Sequence, residues 1–340
     1  MSKKIEEARI KLEDWLAHPS ELGKKPKKIE YTNYFMDEDG IECYIFRFKE
    51  TLFGKWILAI VSDSGTFSEM KEYKKQNEIE DAFALLHKLK EYWKAQARKQ
   101  KSFQELFSKN LKFISQSEID VETIERQFVK SESRYYLTVG YVDCPSGKIA
   151  VADPLAYMGI PKYTTVLDKS IPAGTYSVEV SIYRSDILSI RMCSAKLKVN
   201  ANKPIKYVQA KFDNKYGGFR DKNNQLIPGF GVDAGMMSFC DVEVVKEYDN
   251  FLAKWHKEHP DGNHYDDYFA SFFKESEEKL PAYQRSGGDF IEWAIPESGH
   301  RLVMIASGFG DGFYQCYYGY DEKDEICEIL VPMVNPDLFE

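Results

Sequence analysis

Apolar residues recur at helical spacing over residues 4–18, where Ile5, Ala8, Leu12, Trp15 and Leu16 share a face opposite Glu6, Arg9 and Glu13. Pro19 ends that helix, and a basic connector, Gly23-Lys-Lys-Pro-Lys-Lys28, follows. The apolar runs then shorten to strand length over 29–36, 41–48 and 56–62, separated by Asp37-Glu-Asp-Gly40 and Leu52-Phe-Gly54. Helical spacing returns over 78–99 with Ile79, Ala82, Phe83, Leu86, Leu89 and Trp93 on one side. Acids at the start of this helix and bases at its end suit the helix dipole. The pattern therefore predicts a small α-β-β-β-α domain over 1–101. Double-stranded-RNA-binding domains share that order, but the acidic start of the last helix is wrong for holding phosphates.

Residues 102–133 are polar with scattered Phe, Leu and Ile, and read as a helical connector. A β-rich domain is expected over 134–340. Strands are expected over 135–142, 148–152, 175–183, 187–199 and 205–212; the third alternates Tyr176, Val178, Val180 and Ile182 with Glu179 and Ser181. A helix over 241–257 opens on Asp241 as N-cap, and a second, rich in Tyr and Phe, covers 265–277. Strands resume over 290–295, 301–305, 313–320 and 326–331. The stretch 306–320 holds four glycines and four tyrosines and reads as strand, tight turn, strand, with Asp311 at the tip. The fold class predicted is α+β, with an antiparallel, sandwich-like second domain carrying inserted helices.

Charge narrows the function classes. Residues 1–101 carry 20 Lys and Arg against 18 Asp and Glu, and the remainder 26 against 36. An acidic second domain argues against tracking a nucleic-acid backbone. No apolar run is long enough to span a membrane, and the first residues have charges but no apolar leader. The six cysteines are dispersed with no Cys-x-x-Cys, so a reduced, cytoplasmic protein is expected.

Candidate chemistry is sparse. Asp153, Asp233 and Asp311 each sit in a Pro- or Gly-bearing turn, Tyr314 close behind the last. These acids either cap turns or meet around a concave mouth as a metal or acid–base site. His256-Lys-Glu-His259 with His264 offers three imidazoles that could ligate zinc, although Pro260 interrupts the helix they would need. No phosphate loop, nucleophile elbow or cofactor motif is present, so none of these cofactors is expected.

Five ordered motifs carry a resemblance: Pro145-Ser-Gly-Lys148, Ala152-Asp-Pro-Leu155, Ile171-Pro-Ala-Gly-Thr-Tyr176, Gly229-Phe-Gly-Val-Asp-Ala-Gly235 and Gly310-Asp-Gly-Phe-Tyr314. Over residues 134–331 the chain resembles the bacterial domain-of-unknown-function family 4241. That resemblance implies a cytoplasmic bacterial protein and supplies no activity. The expectation is a non-enzymatic binding or interaction protein, in one version an inhibitor or immunity-type protein presenting acids to a basic protein partner. The alternative is a metal-dependent hydrolase using the clustered aspartates.

Overall fold

The computed structural model describes residues 3–18, 26–36, 42–51, 55–62, 65–72 and 78–340. The chain is an α+β protein that divides into two compact units, Met1–Gln104 and Glu105–Glu340.

The first unit begins with α1 (Lys3–Ala17), followed by β1 (Lys28–Met36), β2 (Glu42–Lys49), β3 (Ile57–Ser62) and β4 (Gly65–Glu72). These strands form one antiparallel sheet in sequence order. Its central strands are apolar on both faces because each face carries a helix. Ala8, Leu12 and Leu16 of α1 pack with Phe46, Phe48, Ala59 and Val61. The alternate residues Cys43, Ile45, Leu58 and Ile60 pack with Ala82 and Leu86 of the next helix, α2 (Glu78–Ile114). The strand β4 is an addition to the three expected. Its sequence, Gly-Thr-Phe-Ser-Glu-Met-Lys-Glu, lacks an apolar run, and it forms an edge of the sheet. The helix α2 runs well past residue 99, since nothing before Ile114 is Gly or Pro. The turns 37–40 and 52–54, residues 23–25, and the side chains of Ile79, Phe83, Leu89 and Trp93 lie outside the described residues.

The second unit continues through β5 (Glu118–Ile119), α3 (Val121–Gln127), β6 (Arg134–Cys144), β7 (Ile149–Ala152) and β8 (Thr165–Val166). The long strands β9 (Gly174–Ser185) and β10 (Ser189–Lys198) follow, then β11 (Lys206–Gln209), β12 (Phe230–Val232) and β13 (Met236–Asp241). The helix α4 (Val242–Glu258) is capped as expected, Asp241 Oδ1 accepting from the Glu243 amide at 2.9 Å. The aromatic segment expected as one helix starts as a π-helix, His264–Phe269, and continues as α5 (Ala270–Lys279). The remaining strands are β14 (Phe290–Ala294), β15 (Arg301–Ala306), β16 (Gly312–Tyr314), β17 (Tyr317–Tyr320) and β18 (Ile326–Pro332).

Seven strands form one antiparallel sheet in the order β5-β11-β17-β18-β10-β9-β6, and five form another in the order β14-β15-β13-β7-β8. They share one core. The sheets meet closely at Gly140, where β6 bulges and a Cβ would stand 2.7 Å from the Cβ of Glu292. Glu292 takes the amide of Tyr141 at 2.6 Å.

Residues 306–320 correct the expected strand–turn–strand. The stretch leaves the five-stranded sheet at Ala306, pairs through β16 with β12 in a two-stranded ribbon, and enters the seven-stranded sheet as β17. The expected strand over 313–320 is thus two strands in two sheets. Residues 316–320 are buried on both sides, and Cys316 O is taken by the amide of Ala210 at 2.8 Å, outside either ladder. The strand expected over 205–212 stops at Gln209 for a related reason. Residues beyond it bridge to β8, Asp213 donating its amide to Val166 O at 2.8 Å.

Candidate functional site

The two acid-bearing glycine turns are neighbours. The Ser307 amide donates to Gly235 O at 2.9 Å, and a Cβ on Gly235 would lie 3.7 Å from the Gly310 Cα. Asp153 lies beneath, fully buried, its Oδ2 accepting the amides of Asp233 (2.9 Å) and Ala234 (2.7 Å) and its Oδ1 that of Leu155 (2.9 Å). Burial pushes its carboxyl above the ordinary range, and the backbone donors offset only part of that. Asp233 and Asp311 are exposed on their turns. All three acids act on the half-buried phenol of Tyr157, which burial first, then Asp233, Tyr163, Asp153 and Asp311, push up. Asp153 therefore spends both oxygens on holding backbone. Tyr314 is a buried peg: its hydroxyl lies 2.5 Å from Ser307 O and 2.9 Å from Gly310 O, fastening the turn that carries Asp311, and burial pushes it up to about 12.

The histidines also divide. His259 stacks on Trp255 and its Nδ1 lies 3.0 Å from Trp255 O. His256 Nε2 meets His264 Nδ1 at 3.1 Å, and His264 Nε2 lies 3.0 Å from Leu155 O. Among the described residues no group of three His, Cys, Asp or Glu is placed to hold a metal ion. All six cysteines are buried free thiols, and burial pushes the Cys144 thiol far up. Among the described residues no helix is long and apolar enough to cross a membrane.

Directly beside this cluster is a feature that the sequence pattern did not single out. A cleft of about 880 Å³ opens between residues 159–166, the loop 215–224 and the first turns of α4. Lys162, Lys215, Arg220 and Lys246 line it, with Tyr163, Tyr216 and Phe219, and its lining contains no Asp, Glu, His or Cys. The loop closes on the opposite wall because Gly217 has no side chain. A Cβ there would stand 1.9 Å from Pro161 O, and the Gly218 amide reaches Lys162 O at 2.9 Å. That approach brings the segments carrying Lys162 and Lys215 into one cleft. Rings stiffen the cleft floor: Phe219 stacks on Tyr163 at 5.3 Å and meets Tyr157 and Phe313 edge-on.

Acids lie just outside the lining: a Cβ on Gly159 would stand 2.8 Å from Asp249 Oδ1, and two others are paired. Lys246 pairs with Glu243 at 2.8 Å, and Asp213 pairs with Lys148 at 3.0 Å. Lys162 and Lys215 make no ion pair within 4.0 Å among the described residues, although Asp213 lies within electrostatic reach of Lys215. Lysines of like charge gathered in a concave site repel unless an anion enters between them. The legible signal was Lys215-Tyr-Gly-Gly-Phe-Arg220, two glycines flanked by rings and bases.

No curated protein and no solved structure matches the chain. One family does, described as a protein of unknown function (DUF4241), and it matches residues 142–331. Those residues hold all of the cleft lining, both acid-bearing turns and the strands that carry them. The expected resemblance is thereby met, and the chain belongs to the DUF4241 family.

Proposed function

We propose that the second unit is a binding domain that takes a small anionic ligand in the Lys162–Lys215 cleft without transforming it. One observation carries this: four cations and no acid line a concave site in the acidic part of the chain. The same lining lacks any His, Cys, Asp or Glu to act as general base, nucleophile or metal ligand, which favours binding over catalysis. Six buried free thiols suit a reducing compartment, and a cytoplasmic bacterial setting is part of the proposal. Of the two earlier expectations, this keeps the non-enzymatic binding role but moves it from exposed acids to a basic cleft.

The test is calorimetric titration of the whole protein with inorganic pyrophosphate at low salt. Binding is expected, weakening steeply with added salt, and about tenfold weaker in Lys162→Ala and in Lys215→Ala. Absence of binding to pyrophosphate, or binding unchanged in both variants, would sink the reading.

A further inference from the structure

We infer that the anion taken by this cleft belongs to a nucleoside phosphate, its base lying on Tyr216 and its phosphates between Lys162 and Lys215. The inference rests on the anionic-ligand reading above and adds the second half of the ligand.

Three features of the cleft ask for a ring as well as a charge. Tyr216 lines the cleft with 40% of its surface exposed, and its ring meets no other ring or cation among the described residues. Tyr163 and Phe219 differ: each is already covered, Tyr163 by Phe219 and by the Lys162 ammonium 5.0 Å from its centroid. An exposed, uncommitted ring in a charged cleft is a stacking platform, because every base has a π-face.

The second feature is Asn224. Its backbone is held by Arg220, which donates to its carbonyl at 3.0 Å, and by its own amide on Asp221 O at 3.0 Å. Its φ of 63° is an uncommon left-handed conformation that asparagine tolerates. Asn224 lines the cleft, and its side-chain amide makes no intramolecular hydrogen bond among the described residues. A free amide presents a donor and an acceptor side by side, the pattern found on a base edge.

The third is size. A volume of about 880 Å³ lies in the upper range of small-ligand sites, well beyond what a lone phosphate fills. Lys246, near the start of α4, lines the same cleft within electrostatic reach of Tyr216, so a cation adjoins the ring.

The deciding experiment titrates the whole protein in parallel with ATP, GTP, UTP and inorganic tripolyphosphate, in wild type and in Tyr216→Ala. Tyr216 is exposed, so the variant keeps the fold, which circular dichroism checks. The expected result is that at least one nucleotide binds roughly tenfold more tightly than tripolyphosphate, and that Tyr216→Ala removes this margin while leaving tripolyphosphate unchanged. Equal binding of nucleotides and tripolyphosphate, indifferent to Tyr216→Ala, would overturn the nucleoside assignment and leave the anion reading standing. No binding of any of the four would overturn both.

Discussion

The carboxylate of Asp153 accepts the backbone amide of Asp233 at 2.9 Å across 80 positions of chain, and that of Ala234 at 2.7 Å. An acid at the end of one strand thus builds the turn of another while its other oxygen holds its own turn through the Leu155 amide at 2.9 Å. The variant Asp153→Asn can still accept two of the three amides but turns an NH2 toward the third. It should cost about 1 kcal/mol, the gain from removing a buried charge offsetting part of the lost bond. Asp153→Ala abandons all three buried donors and should cost about 3 kcal/mol or more. Urea midpoints check both. Equal midpoints for wild type and Asp153→Ala would show that the strut carries no load.

The His264 ring predicts an acid-sensitive step. Leu155 O can only accept, so Nε2 carries the proton and Nδ1 accepts from the Nε2–H of His256 at 3.1 Å. Burial holds the His264 pKa below its ordinary value, Leu155 O opposing and the neighbouring His256 adding to the shift. A lowered native pKa means the unfolded chain takes the proton more readily. The contribution is therefore present above about pH 6.5 and lost as pH falls below it. Asp143, held down chiefly by Arg301, follows the same sign in a lower window, below about pH 4. Asp153 has the opposite sign, its raised pKa adding stability as pH falls. Comparing urea midpoints of wild type and His264→Gln from pH 4 to 8 isolates the histidine. The difference should shrink as pH drops through 6; a constant difference would contradict the assignment.

The seven-stranded sheet contains a buried charge cluster with a separate consequence. Glu328 is fully buried against Lys196 (3.1 Å), Lys198 and the hydroxyl of Tyr207, and Lys196 reaches Glu125 at 2.6 Å. Burial alone would raise the Glu328 pKa; the two lysines reverse that and hold it low. Removing one partner leaves a buried charge, so Glu328→Ala should cost about 3–5 kcal/mol. Replacing the pair together, Glu328→Met with Lys196→Met, should cost less than Glu328→Ala alone, since apolar packing tolerates what a buried ammonium left with Glu125 alone does not. Chemical denaturation of both variants decides; a double variant weaker than the single one would refute it.

How much of this was legible follows from the range of each interaction. Asp241 was readable as an N-cap because the cap contacts its own next residues. The apolar face of α4 was readable for the same reason, and Val245, Tyr248 and Trp255 are buried there. The division of residues 313–320 was not, because Tyr314 and residues 316–320 are all buried and only the partners β12 and β11 decide which sheet each half joins. The acid turns stood out in the sequence, and they do adjoin, yet Tyr314 and Asp153 proved to hold backbone. The cleft was the least visible feature. Its four cations come from segments around 162, 215–220 and 246, and in sequence each is a solvated lysine or arginine like many others.

Gly217 is where this long-range assembly can be broken with one methyl group. Its added Cβ would meet Pro161 O at 1.9 Å and the backbone of Lys162 at 2.8 Å, atoms that cannot rotate away as a side-chain end could. The loop 215–220 must then lift from residues 160–162, parting Lys215 from Lys162 and breaking the Gly218 amide bond to Lys162 O. Gly217→Ala should lower stability by about 1–3 kcal/mol, as overpacking does, yet leave the two sheets folded. Pyrophosphate affinity should fall at least as far as in Lys215→Ala, because the loop that lifts carries both Lys215 and Arg220. Far-ultraviolet circular dichroism establishes the fold and calorimetry reads the affinity. A folded Gly217→Ala protein binding pyrophosphate as wild type does would mean that the close approach of the two walls is irrelevant to the site.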